Sequence, residues 1–127
     1  MKLSEVACNA RLDGLAQLLG AGAKLQIRTG EVPPVTVAPD VGQVLVTFPL
    51  AQAAKAKGGR LDLVATPVRA TATGDGDAGH YRVYVGSVCH LQGSLVGEGA
   101  DLTLTDMKIG RGQIVDVKAW AILEDAF

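Results

Sequence analysis

Two histidines, two cysteines and a few closely spaced acids are the residues of this 127-residue chain with the right types to do chemistry. His80 and His90 both fall in stretches that alternate as strands do, and Ser87 and Cys89 stand close to His90. A serine nucleophile of the elbow type needs Gly-x-Ser-x-Gly on a strand-to-helix turn. Gly86-Ser87-Val88 has neither that spacing nor a following helix. A Cys89 thiolate activated by His90 fails on direction, because adjacent residues of a strand point to opposite faces. The reading is therefore a core thiol beside a surface or half-buried histidine, with no residue nominated as catalytic.

The acids and glycines fare no better as ligand sites. Gly74-Asp75-Gly76-Asp77-Ala78-Gly79 has the glycine density of a phosphate loop, but His80-Tyr81 and a strand follow it. A phosphate cradle needs a lysine and a helix N-terminus at that point. The same acids resemble the start of a calcium loop, yet position 86, where the bidentate glutamate belongs, is Gly86. The segment reads instead as a hairpin tip built of turn-forming residues. Two cysteines and two histidines do not make the paired set that structural zinc wants, so neither a metal nor a cofactor is expected. Lys55, Lys57 and Arg60, and separately Lys108 and Arg111, read as small solubilising groups in loops.

The elements that would hold these residues are mostly strands. The single helical pattern spans 3–19: Ser4 caps, Glu5 favours the first turn, and Leu3, Val6, Ala7, Ala10, Leu15, Leu18 and Leu19 recur at helical spacing. Gly20 and Gly22 end it. Period-two alternation then marks strands at 24–28, 44–50, 60–68, 70–73, 81–85, 88–96, 102–105 and 113–123. In the last, Val115, Val117, Ala119, Ala121 and Leu123 share one face, opposite Asp116, Lys118 and Trp120. The alanine-rich 51–57 run has room for one or two helical turns. Residues 29–43, with Pro33, Pro34 and Pro39, form a stiff loop with few backbone donors. Short strands at regular spacing after one helix predict a mainly β protein: an antiparallel β-sandwich or jelly-roll-like domain over 23–127, preceded by an N-terminal helix over 1–22.

Composition bounds the partners. Twelve Lys and Arg against 13 Asp and Glu leave a net charge of −1, which gives no general field for nucleic acid or an anionic membrane. Aromatics are 4% of residues, too few for stacking on bases or sugars. At 48% hydrophobic, a chain of this size buries about two-thirds of its surface and needs no disulfide. Cys8 and Cys89 are thus expected as buried thiols. Met1-Lys2-Leu3-Ser4-Glu5 places an acid where an export leader has its apolar run, so the protein is expected to be made and kept, or assembled, in a reducing cytoplasm. The remaining chemistry is docking. Val32, Pro33, Pro34, Val35 and Val37 lie on the proline-rich arm, which has little local reason to fold and is therefore expected to be ordered by contact with a neighbour, and Trp120 either closes the core or anchors an interface.

The order of these segments resembles a family of small structural proteins of tailed bacteriophages and prophages. The likeness runs through Lys24-Leu25-Gln26-Ile27-Arg28-Thr29-Gly30, then Ala70-Thr71-Ala72-Thr73-Gly74 leading to Tyr81-Arg82-Val83. It continues in Gly93-Ser94-Leu95-Val96-Gly97, Gly99-Ala100-Asp101-Leu102-Thr103-Leu104, Gly112-Gln113 and 115–120. What the resemblance implies is a virion component: a capsid decoration or cement protein, dimeric or trimeric, bound to the major capsid protein on the outside of the shell. Its alternatives are a tail or neck component and, from another class, a small-ligand or carbohydrate-binding sandwich. On this reading the helix lies outside the sandwich, and removing 1–20 leaves a soluble domain. The loop 97–101 sets strand register.

Overall fold

In the computed structural model, which describes residues 2–96 and 102–123, the helix α1 (Glu5–Leu19) starts where the sequence predicts. Ser4 Oγ accepts from the Ala7 N–H at 3.1 Å, and Gly20, at φ +60°, closes the last turn by donating to the Ala16 carbonyl. Its buried stripe is Cys8, Leu12, Ala16 and Leu19. Val6 and Leu18, expected in the stripe, are exposed. They lie about 120° around the axis from Leu12 at 100° per residue, outside the sector one face can bury. Leu12, Ala16 and Leu19 join the same core as the strands, so α1 is a layer of the domain and not an appendage outside the sandwich.

The other regular elements among the described residues are antiparallel strands, as expected for a β-sandwich-like fold. One sheet has the order β2 (Val44–Pro49), β1 (Lys24–Arg28), β6 (His80–Val85), β7 (Val88–Ser94). The other centres on β10 (Ile114–Leu123), which pairs with β3 (Arg60–Asp62), β4 (Arg69–Thr71) and β8 (Leu102–Leu104). The expected strand over 60–68 is broken: β3 and β4 lie end to end along β10, and the chain between them leaves the ladder and returns. That excursion binds β2 instead, through Ala51 N–H to the Val64 carbonyl and Thr66 N–H to the Pro49 carbonyl. Thr73 N–H to the Leu45 carbonyl extends the seam. The two sheets are thereby stitched along one side, over a core that includes Leu25, Ile27, Phe48, Leu61, Tyr81, Val83 and Val115.

Three local expectations change, each for a non-local reason. Residues 51–57 are not helical; Asp13 and Asn9 of α1 accept from the Ala56 and Gly59 N–H groups at 2.7 and 2.8 Å, which holds the segment extended. The 74–79 segment is not a simple hairpin tip, since β5 (Gly76–Asp77) pairs with β9 (Lys108–Ile109) and Asp75 accepts from the Arg111 N–H. In β10 a bulge at Lys118 puts two residues opposite one on β8 and inverts the alternation beyond it. Trp120 therefore sits on the core side, opposite buried Leu102, with its ring edge-on to Tyr81 at 5.5 Å. The 97–101 loop lies outside the described residues.

Candidate docking arm and its buried polar base

The cross-strand register puts His80, Arg82 and Tyr84 of β6 on the same face as Arg28 and Gln26 of β1 and Gln92 and Ser94 of β7. Such a polar row reads as a solvent face. Here the proline-rich arm roofs it: His80 is 0%, Arg82 2% and Arg28 8% exposed. The arm is an Ω-type loop with a closed neck. At its neck Thr29 and Gln43 pair, N–H to carbonyl and N–H to Thr29 Oγ1. Gly42, at φ +75°, passes where a Cβ would lie 2.0 Å from the Thr29 carbonyl oxygen, and a Cβ at Gly79 would lie 2.1 Å from that of Gly30. Only glycine permits both approaches.

Arg82 is the central pin. Its Nη1 donates to Asp40 Oδ1 at 2.7 Å, Nη2 to the Val35 and Thr36 carbonyls at 3.2 Å each, and Nε and Nη2 to Gln92 Oε1. Gln92 Nε2 in turn donates to the Pro33 carbonyl at 2.7 Å. Arg28 pins the return limb, giving Nε to the Val41 carbonyl and Nη2 to that of Gly42. A proline-rich arm has carbonyls in excess of donors, and two rigid five-donor guanidinium forks supply what it lacks. Burial, the largest single influence, pulls Arg82 toward neutrality, but the hydrogen bonds with Asp40 and Tyr84 and the other acidic groups nearby together outweigh it and raise its pKa. Tyr84 hydroxyl donates to Asp40 Oδ1, and this bond, against desolvation and with Arg82 and Arg28, lowers the Asp40 pKa. The Tyr84 phenol is raised by desolvation and by the same carboxylate.

Of the predicted docking residues, the structure separates two groups. Pro34, Val35 and Val37 face outward, with Val37 90% exposed, and Val88 of the β6–β7 hairpin is exposed across a cleft of about 360 Å³ from the arm. Val32 is half-buried and Pro33 buried, so they seat the arm. Trp120 is buried in the core and is withdrawn as an interface residue. The expectation that a neighbour orders the arm is corrected too: the ordering groups are intramolecular. Arg28, Asp40, His80, Arg82, Tyr84 and Gln92 were not singled out for this role. For all but Asp40, which lies on the arm, the signal in the sequence is a row of polar residues at alternate positions of β1, β6 and β7.

Among the residues first considered for chemistry, Cys89 and His90 do not come together. Cys89 is buried and its Sγ donates to the Leu91 carbonyl, while half-exposed His90 is the extra residue of a bulge. Both cysteines are free and buried. Among the described residues no group of three His, Cys, Asp or Glu is placed to hold a metal ion, and no helix is long and apolar enough to cross a membrane. No known protein family, curated protein or solved structure matches this chain.

Proposed function

We propose that this protein is a docking module, and that it serves as a decoration or cement protein on the outside of a bacteriophage capsid. The observation that supports a docking role is the arm: its inner side is pinned by two buried arginines while Pro34, Val35 and Val37 stand in solvent. A pre-ordered arm loses little conformational entropy when it binds, which is the cost that usually weakens loop-mediated contacts. The choice of a capsid as partner rests on the resemblance of the segment order to phage structural proteins. The major capsid protein is the partner on this reading, and the protein acts as a dimer or trimer.

The mechanism is mass-action linkage. A ligand that binds the assembled shell and not its separated subunits stabilises the shell by RT ln(1 + [L]/Kd), about 3 kcal/mol per site at a hundredfold excess over Kd. The test is co-sedimentation of the purified protein with shells that lack it, followed by their thermal disruption. Pelleting with the shells and a raised disruption temperature support the proposal; a protein left in the supernatant at micromolar concentration overturns it.

A further inference from the structure

The arm's seat contains a group that a permanent clamp does not need. His80 is fully buried beneath the neck, with Nδ1 2.9 Å from the Gly30 carbonyl. A carbonyl only accepts, so the proton is on Nδ1 and Nε2 is bare; Nε2 has no hydrogen-bond partner among the described residues. The charged and titratable groups that act on it are Arg28 from β1, Arg82 from its own strand and Asp40 from the arm. Ser94, opposite on β7, is uncharged, and Glu31, next to Gly30, is exposed. The layer thus already holds two guanidinium groups against one carboxylate.

We propose that His80 is a proton-operated catch for the arm: uncharged, it lets the arm close over the arginine pair, and its protonation opens the arm. The reason is geometric. A third cation in this layer would face two arginines and carry a second N–H with no acceptor, whereas opening the arm admits water to it. Burial, with the two arginines, lowers the His80 pKa from 6.5 in the closed state, and the Gly30 hydrogen bond only partly offsets this. The sign follows: the open state binds the proton more readily. Closure is fully favoured above about pH 6.5 and weakens as pH falls toward the closed-state value. Asp40 acts in the same direction at lower pH, since its carboxyl is also lowered by closure. This inference does not depend on the identity of the docking partner, because the arm itself is the readout.

Amide hydrogen exchange between pH 7.5 and 5 tests it, with rates corrected for intrinsic pH dependence. The Ala38 N–H, bonded to the Val35 carbonyl within the arm, reports opening, and β10 amides report global unfolding. Between pH 6.5 and the lowered closed-state value the Ala38 opening constant should rise as pH falls, by at most the tenfold per pH unit that one proton allows, and at every pH it should exceed the β10 opening constant. In His80→Gln, which keeps a donor but cannot titrate, the slope should vanish. A flat profile in the native protein, or an unchanged slope in His80→Gln, overturns the proposal. Should that variant fail to fold, imidazole titration by NMR decides, with His90→Gln assigning the signals. The His80 midpoint should lie below 6.5 and coincide with the arm's amide shifts; arm shifts that follow a different midpoint overturn it.

Discussion

Arg82→Met keeps most of the aliphatic volume of the buried stem and deletes the guanidinium, which isolates the pin from the packing around it. Five hydrogen bonds disappear: two to Gln92, one to Asp40 and one each to the Val35 and Thr36 carbonyls. Breaking a buried charged pair costs about 3 to 5 kcal/mol when the surviving partner stays buried. Asp40 is 45% exposed and the two carbonyls belong to a segment that can lift into water, so the lower end applies, about 3 kcal/mol. For a chain of this size that is a fall of roughly 10 °C in melting temperature. The loss should be local first, so a Glu-specific protease should cut after Glu31 at a concentration that spares the native protein. A melting temperature within about 2 °C of the native value, together with an uncut arm, would refute the assignment of Arg82 as the pin.

Four further outcomes follow from the packing. Gly93→Ala should lose about 1 to 3 kcal/mol in chemical denaturation, because the added Cβ would lie 2.6 Å from the Tyr81 ring. Trp120→Ala should lose about 3 to 5 kcal/mol through the cavity left against Tyr81, as a core residue does; a loss under about 1 kcal/mol would return Trp120 to the surface. Deleting residues 1–22 should abolish the cooperative melt, since it removes Leu12, Ala16 and Leu19 from the core; a folded, soluble fragment by circular dichroism would contradict this. Asp13→Ala should cost about 1 kcal/mol by leaving the Ala56 N–H without its acceptor, with little change in the arm's exchange.

How far the sequence could be read depended on whether the deciding contact was local. Ser4, Glu5 and Gly20 bracket the helix by short-range capping, and the Leu25 and Ile27 alternation marks β1 to the residue. The buried stripe of α1 was not legible, because Val6 and Leu18 make the helix apolar on more than one side. The face of Trp120 was lost to a single bulge at Lys118, which no alternation pattern announces. The 51–57 coil owes its shape to Asn9 and Asp13, more than forty residues away. The arm itself was legible from its prolines and valines, and of these Pro34, Val35 and Val37 are exposed. Its base was missed, since the arginines on β1 and β6 look like surface charge until the arm folds over them.

The most direct test of the docking role uses Val37→Asp, which changes a side chain that is 90% exposed and so leaves folding intact. Equal amounts of native and variant protein are sedimented with shells lacking the protein, across a concentration series. The account predicts that both melt alike and that the variant binds at least tenfold more weakly, as a charge buried at a docked apolar ridge requires. Equal binding by the two proteins would contradict it and move the docking surface off the arm.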